Sequence, residues 1–161
     1  MCIRDSLRWW TGLAAGPVRK ALAEAGAVEV DLGRSTGFVA ADDGDRTEAE
    51  GGAPGEPWVA LLPALDSTVM GWKERSWYLG DHGPRLFDGN GNAGPTVWSD
   101  GRVVGGWAQR GDGEIAVGLL ADVGSEAGLA IDAEAEALAA WLGPVRFVPR
   151  FRTPLERTLA T

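Results

Sequence analysis

The sequence TVWSDGRVVGGWAQRGDGEIAVGLL, residues 96–120, predicts three consecutive β-strands joined by two tight turns. An Asp-Gly pair between apolar runs is a strong signal for a β-hairpin, because both residues of such a turn must accept positive φ angles. Asp100–Gly101 is the first predicted turn, and Asp112–Gly113 is the second. We therefore expect an antiparallel sheet in this part of the chain.

These turns fix a register, in which Val97 lies opposite Val104 and Trp107 lies opposite Gly118. One face then carries the residues expected in the core, which are Val97, Val104, Ile115, Val117 and Leu119. The other face carries Trp98, Val103 and Trp107. Apolar residues on both faces, with Gly105–Gly106 in mid-strand, predict a sheet bent into a small antiparallel β-barrel.

Further elements complete a predicted C-terminal domain of residues 58–161. Trp58–Pro63 predicts a short strand, and Asp66 is expected to cap a helix that runs to Leu79. The alternation in Val145–Phe151 predicts a last strand, which a terminal turn of helix follows.

One amphipathic helix is predicted between the sheet and that last strand. Ser125 is its expected cap and Gly143–Pro144 its expected end. Its apolar stripe consists of Ala127, Ile131, Ala135, Leu138 and Leu142. The predicted class is α+β, with a β-barrel-like domain and one packed amphipathic helix.

A short helix and a hairpin are predicted upstream. Pro17 is expected as the first helical residue, and Gly26 as the stop. VEVDL, residues 28–32, alternates apolar and acidic residues, and after a turn at 33–37 the chain returns as FVAA. A helix followed by a hairpin is the second half of a winged helix, so residues 7–43 are predicted to form a partial winged helix.

Two segments differ from the rest in composition. Residues 1–6, MCIRDS, precede an abrupt entry into LRWW, and we expect them to be a non-native leader on the C-terminal part of a longer protein. Residues 44–57 hold one basic and four acidic residues among many Gly and Pro, which is typical of a linker. Asp42, Asp43 and Asp45 are interpreted as its solvated edge.

Composition limits the chemistry of the 161 residues. The chain has one cysteine, Cys2, and one histidine, His82, which excludes an internal disulfide and a cysteine- or histidine-rich metal site. We expect no metal and no cofactor, and His82 is expected in an exposed loop. No apolar run approaches the roughly 20 residues that span a bilayer, so a cytoplasmic protein without a membrane partner is expected.

The stretch FDGNGNAGPTVW, residues 87–98, matches two site patterns incompletely. G-x-G-x-x-G at residues 89–94 needs a following helix to bind a dinucleotide, but a predicted strand follows. A calcium loop counted from Asp88 needs glycine at its sixth position and glutamate at its twelfth, and neither is present. We therefore predict an irregular loop, whose Asn90 and Asn92 are the side chains that could contact a ligand.

Three blocks resemble the C-terminal region of bacterial winged-helix DNA-binding domain proteins, among them the AlkZ-like DNA glycosylases. They are LLPALDSTVMGWKERSWYL, LFDGNGNAGPTVWSDGRVVGGWAQR and VRFVPRFRTPLERTLA. WWTGLAAGPVRKALAEAGAVEVDL is similar to the last of that family's tandem winged helices. The resemblance implies winged helices followed by a small β-barrel, and excision of alkylated or crosslinked bases from DNA.

The family's catalytic residues have no counterpart here. The resemblance implies two glutamines one residue apart in the N-terminal region, whereas this chain has one glutamine, Gln109, on a predicted strand. No catalytic residue is therefore assigned, and the chain alone is expected to be inactive.

Double-stranded DNA, contacted through its phosphate backbone, is the expected partner, together with the missing N-terminal winged-helix region of the same protein. The net charge of −8 opposes DNA binding overall, so the basic residues would have to gather on one surface. The candidates are Arg19, Lys20, Arg34, Lys73, Arg75, Arg102, Arg150 and Arg152. Arg19 and Lys20 are more often a solvated helix face, and Arg34 is an ordinary turn residue about as often as a DNA contact. Arg102 could instead keep its hairpin soluble, and Arg150 and Arg152 could be outward positions of an edge strand.

Two functions remain open. The first is the DNA-binding C-terminal portion of a winged-helix repair glycosylase that lacks its catalytic glutamine pair here. The alternative is a non-catalytic winged-helix module for DNA binding, regulation or protein interaction.

Overall fold

The computed structural model describes residues 4–32, 36–41 and 57–161. The chain divides into two compact units. The first comprises Met1–Gly55 with Gly71–Glu74, and the second comprises Glu56–Met70 with Arg75–Thr161. The α+β class is confirmed, with a two-stranded sheet in the first unit and a four-stranded sheet in the second, both antiparallel.

In its described residues, the first unit contains two helices and a hairpin. They are α1 (Arg4–Thr11), α2 (Ala15–Glu24), β1 (Val28–Asp31) and β2 (Thr36–Val39). The order of helix and hairpin is as predicted, but α2 begins two residues before Pro17, and the residues of α1 were not predicted to be helical. Part of the predicted leader lies in α1, where the buried Ser6 hydroxyl accepts a hydrogen bond from the backbone N–H of Lys73 (3.4 Å).

Helix α2 ends as the sequence predicts. Gly26 adopts a left-handed conformation with φ of 62°, and the N–H groups of Gly26 and Ala27 donate to the carbonyls of Ala23 (3.1 Å) and Leu22 (3.0 Å). This pair of bonds is a Schellman motif, which satisfies carbonyls that a helix end leaves free. The following strand, β1, is more exposed than its alternating sequence predicts, whereas Gly37 and Val39 of β2 are buried.

The second unit is built on a sheet with strand order β3–β4–β5–β6. The strands are β3 (Val59–Leu62), β4 (Thr96–Ser99), β5 (Arg102–Gln109) and β6 (Ile115–Leu119). Within the described residues β3 and β6 are free edges, so the sheet is open and the predicted barrel is wrong. Apolar residues occupy both faces because helices cover both, rather than because the sheet closes on itself.

The first hairpin turns at Asp100–Gly101 as predicted, with φ angles of 47° and 78°. Trp98 pairs with Val103, but Val97 pairs with Gly105 rather than with Val104, since the register shifts between Val97 and Trp98. Val104 is the extra residue of a β-bulge, which leaves two consecutive residues on one side of the strand. The bulge moves Trp107 to the face of Val97, contrary to the prediction.

The second turn is one residue longer than predicted. Arg110 pairs with Glu114 through its backbone N–H (2.8 Å), and three residues, Gly111–Gly113, form the loop. Trp107 consequently lies opposite Val117 rather than Gly118. Gly113 has φ of 104°, which favours glycine at this position.

Five helices accompany the sheet: α3 (Ser67–Met70), α4 (Ser76–Leu79), α5 (Gly83–Leu86), α6 (Gly124–Leu142) and α7 (Pro154–Leu159). Asp66 caps α3 by accepting a hydrogen bond from the N–H of Thr68 (2.8 Å). The predicted single helix to Leu79 is wrong, because the helix stops at Met70 before Gly71 and a new one starts at Ser76.

Two further predictions at the C-terminal end are wrong. Helix α6 begins at Gly124, whose N–H donates to the Asp122 carboxylate (2.9 Å), so Ser125 lies inside the helix and does not cap it. Residues 145–151 form no strand, and two of their backbone groups, the Val145 carbonyl and the Phe147 N–H, bond to the Gln109 side chain instead of to a neighbouring strand.

Helix α6 covers one face of the sheet and ends at Gly143 as predicted. The core there consists of Val97, Val104, Trp107, Ile115, Ile131, Ala135 and Leu142. Leu119 was expected in this core but is 44% exposed. On the opposite face Tyr78 stacks on Trp98 with ring centroids 5.3 Å apart, and Gly106 lies against the side chains of Leu86 and Leu155.

Candidate nucleic-acid interface

The loop after α5 is held by one carboxylate. Asp88 accepts hydrogen bonds from the backbone N–H groups of Asn90 (2.8 Å) and Asn92 (2.9 Å), and from the side-chain amide of Asn92 (3.1 Å). These bonds, chiefly the one from the Asn92 backbone, lower the pKa of Asp88. Asn92 is thereby turned into the loop, whereas Asn90 stays exposed. The prediction of a turn rather than a nucleotide or calcium loop agrees with this geometry.

The end of this loop is packed against the start of α7. Thr153 and Glu156 form a reciprocal capping box, in which the Glu156 carboxylate accepts from the Thr153 N–H (2.8 Å) and the Thr153 hydroxyl accepts from the Glu156 N–H (3.3 Å). A Cβ atom on Gly94 would lie 2.6 Å from Thr153 Cγ2 and 2.7 Å from Glu156 Oε2. The absence of a side chain at Gly94 therefore lets the loop approach α7.

This packing creates a groove of about 500 Å³ between loop residues 88–90 and residues 149–152 with Arg157. We refer to it as the arginine groove. Arg157 donates from Nε (3.1 Å) and Nη2 (3.0 Å) to the carbonyl of Arg152, so its guanidinium is fixed by the backbone. Arg150 lies with its Cζ 5.4 Å from the centre of the Phe151 ring.

The arginine groove is locally positive. Three arginines, Arg150, Arg152 and Arg157, face one carboxylate, Asp88, whose oxygens are occupied by the loop. In the part of the chain that the structure describes, no carboxylate lies within ion-pair distance of these arginines. Such a cluster of unneutralised guanidinium groups favours phosphate, which arginine binds through paired N–H donors.

A second groove of about 580 Å³ lies on the other side of the loop and shares Asp88 and Gly89 with the first. Arg75 contributes to it, with its Cζ 4.9 Å from the centre of the Phe87 ring. The loop at 88–91 therefore separates two grooves that each contain arginine and an aromatic ring.

The other predicted DNA contacts lie elsewhere. Arg102 is exposed at the start of β5, beside the Asp100–Gly101 turn. Arg19 and Lys20 lie on α2 in the first unit, where Lys20 forms an exposed ion pair with Glu24 (3.7 Å), and Lys73 belongs to the same unit. Arg34 lies outside the described residues, as do Asp42, Asp43 and Asp45.

Sequence reasoning missed two residues of the arginine groove, Arg157 and Asp88. The pattern Thr153-x-x-Glu156 is a sequence signal for a helix start, and it would have placed Arg157 in the first turns of an α7 docked by its cap. Asp88 before Gly-Asn-Gly-Asn is typical of a residue that binds its own loop backbone.

The one glutamine and the one histidine are not arranged as a catalytic pair. Gln109 is buried on β5, donates from Nε2 to the Val145 carbonyl (3.0 Å) and accepts at Oε1 from the Phe147 N–H (3.1 Å). His82 is half-buried at the residue before α5. Among residues 4–32, 36–41 and 57–161, no group of three or more His, Cys, Asp or Glu could hold a metal ion, and no helix is long and apolar enough to cross a membrane.

Comparison with known proteins gives two matches. A family model described as "DNA glycosylase AlkZ-like" matches residues 2–141. Among solved structures, the Streptomyces sahachiroi DNA glycosylase AlkZ is similar over 91% of this chain, with a TM-score of 0.73 and 25% identity. The match covers 42% of that glycosylase, so the chain spans less than half of its length. No curated protein matches the chain significantly.

Proposed function

Because the chain belongs to the AlkZ-like DNA glycosylase family, we propose that its protein is a DNA repair glycosylase and that this chain contributes a surface that holds DNA. The substrate would be duplex DNA with an alkylated or crosslinked base. Removal of such a base requires that the duplex be gripped through its phosphates while one nucleotide is exposed. We propose that this chain supplies groups that bind these phosphates.

The arginine groove is the observation that carries this proposal. Its three arginines come from residues 150–157, and their charges are not neutralised by carboxylates within the described residues. Phosphate contacts provide most of the sequence-independent affinity of DNA-binding proteins. Arg150 and Arg152 are therefore proposed to contact the phosphate backbone, with Arg157 as a third contact and Arg75 as a contact in the adjoining groove.

The first unit is proposed to be a partial winged helix, residues 7–43, joined by the linker of residues 44–57 to a C-terminal domain. The order of α2, β1 and β2 supports this assignment. Arg19 and Lys20 would contact phosphates from α2, and Arg34 and Lys73 are proposed as further phosphate contacts of the same unit. The exposed pair of Lys20 with Glu24 would weaken its contribution only slightly, because exposed ion pairs are weak.

The catalytic step is proposed to rest on residues outside this chain. The family resemblance implies a pair of glutamines that handle the attacking water, but both ends of the Gln109 amide are bound to the backbone. This side chain therefore has a structural role. The same observation favours the second candidate function, a non-catalytic DNA-binding module, and the two are distinguished by base release from alkylated DNA in the complete protein.

Binding of a fluorescent duplex, measured by anisotropy at several salt concentrations, tests the proposal. We expect weak binding by the wild-type chain that falls steeply with salt, and no release of alkylated bases. In the Arg150→Gln/Arg152→Gln variant the slope of log K against log salt should decrease by about 1 for each arginine removed. The Arg152 carbonyl that holds Arg157 is unchanged in this variant.

Arg102→Gln is the control, since it removes one positive charge, against two in the double variant, from an exposed arginine outside both grooves. Arg102→Gln should change the affinity for DNA, and the slope of log K against log salt, much less than the double variant does. Equal losses in the two variants, after allowance for the number of charges, would mean that DNA responds only to the overall charge. Release of an alkylated base by this chain alone would refute the proposal that the catalytic residues lie outside it.

A further inference from the structure

The arginine groove contains an exposed aromatic ring, which the binding of duplex phosphates does not require. Phe151 lies between Arg150 and Arg152, and its side chain is 59% exposed. Arg150 lies over the ring at 5.4 Å from its centre, yet more than half of Phe151 stays exposed to water, which is unfavourable for an apolar ring. Positively charged grooves that contain exposed aromatic rings are typical of sites for single-stranded nucleic acid, in which bases stack on the ring.

The size of the groove fits a nucleotide. Its volume of about 500 Å³ lies within the range of roughly 300–1,000 Å³ that small-molecule sites occupy. A paired backbone running over the surface needs cations but no concave volume. Residues 149–152 and Arg157 of the groove lie beyond residue 141, where the match to the family model ends, whereas loop residues 88–90 lie within it.

Polar groups in the groove are distributed in a way that orients a nucleotide. Arg157 has two of its five N–H donors on the Arg152 carbonyl, and the remaining donors suit a phosphate. The charged Asp88 repels phosphate on the opposite side, where the exposed amide of Asn90 can donate to or accept from a base edge. The phosphate is therefore favoured near Arg152 and Arg157, and the base near Phe151 and Asn90.

We propose that the arginine groove binds an unpaired nucleotide of a DNA strand, with its base stacked on Phe151 and its phosphate bound by Arg152 and Arg157. This inference rests on the proposed function and adds to it a preference for DNA in which a base has left the stack. Fully paired DNA can use the arginines but not the ring, because its bases are stacked on one another.

Three fluorescent probes of equal length test the proposal with the full chain: oligothymidine, a fully paired duplex, and the duplex with one unpaired thymidine. In Phe151→Ala the affinity for oligothymidine and for the duplex with the unpaired base should fall on the order of tenfold. Affinity for the paired duplex should stay within about twofold, because no base can stack there. Phe151→Trp should retain binding to all three probes, since it keeps a stacking surface.

Trp141→Ala is the control, because Trp141 is an 81% exposed aromatic residue of α6 outside the groove. It should leave all three affinities unchanged. Equal effects of Phe151→Ala on paired and unpaired probes, or no effect on any probe, would refute the nucleotide site. If the affinity for the paired duplex did not depend on Arg150 and Arg152, the proposed function would be refuted instead, so the two failures are distinguishable.

Discussion

Tyr78 offers a direct test of the core that supports the arginine groove. It is the one tyrosine of the chain and is 2% exposed. Its hydroxyl donates to the Val69 carbonyl (2.7 Å), and its ring stacks on Trp98. Burial raises the pKa of Tyr78 from 10.0 to about 12, because a phenolate would lose its hydration, although the nearby Arg75 lowers the pKa in part.

The raised pKa makes stability depend on pH in the alkaline range. Below pH 10 the phenol is protonated in both the folded and the unfolded chain, so its contribution to stability is fully present. Between pH 10 and pH 12 the unfolded chain loses the proton while the folded chain keeps it, and the free energy of unfolding falls as the pH rises. The difference of two pKa units corresponds to about 2.7 kcal/mol.

The ultraviolet absorbance of tyrosinate measures this titration without interference from a second tyrosine. At about pH 11 we expect about one-tenth of the folded chain to be ionised, against about nine-tenths in denaturant. Urea unfolding of wild type and Tyr78→Phe at several alkaline pH values isolates the contribution of Tyr78 to the free energy of unfolding, because all other groups titrate in both proteins. A folded-state midpoint near 10, or identical alkaline loss of stability in the two proteins, would refute the burial argument.

Two further predictions concern the contacts around the arginine groove. Gly94→Ala should lower the free energy of unfolding by about 1–3 kcal/mol through overpacking, since its Cβ would meet Thr153 and Glu156. Gly128→Ala, in the second turn of α6 where the added Cβ would meet open space, should instead stabilise the protein slightly. Thermal unfolding compares the two variants, and equal midpoints would contradict the packing at Gly94. Gln109→Leu leaves the Val145 carbonyl and the Phe147 N–H without their partner. It should lower the free energy of unfolding by about 1–3 kcal/mol for each of these groups, and urea unfolding should detect this as a lower midpoint. An unchanged midpoint would mean that the Gln109 amide does not hold residues 145–147.

The sheet was predictable where local chemistry determines it. Asp100–Gly101 adopts the positive φ angles that the hairpin prediction requires, and the Asp100 carboxylate also accepts from the Trp58 N–H (3.0 Å). The register was not predictable, because Val103 and Val104 are equally apolar and give no sign of which residue is the extra one in the bulge. The bulge is compatible with the approach of β6, since a side chain on Gly105 would collide with the Gly118 carbonyl.

Residues 145–151 show why pattern alone fails at the chain's end. The alternation of VRFVPRF predicts a strand, but the Val145 carbonyl and the Phe147 N–H bond to the side chain of Gln109, which lies 36 residues from Val145 in sequence. Arg150 and Arg152 were identified as candidates from their sequence alone. Their proximity to Asn90 was not predictable, because it depends on the contact of Gly94 with the capping box of α7.

A net charge of −8 and a DNA-binding groove are compatible because electrostatic interactions are screened over short distances. Residues 58–161 carry nine basic and thirteen acidic residues, yet the arginine groove has three arginines and one carboxylate that is bound within its own loop. At 0.1 M salt the screening length is about 10 Å, so a phosphate in the groove interacts mainly with the groups that line it and with Glu156, whose carboxylate accepts from the Thr153 N–H next to Arg152. The acidic residues Glu126, Asp132 and Glu136 belong to α6, which covers the face of the sheet opposite to α7, and their charge opposes extended binding along a duplex. This balance favours a short contact of two or three phosphates over a long one, which is the geometry that a single unpaired nucleotide requires.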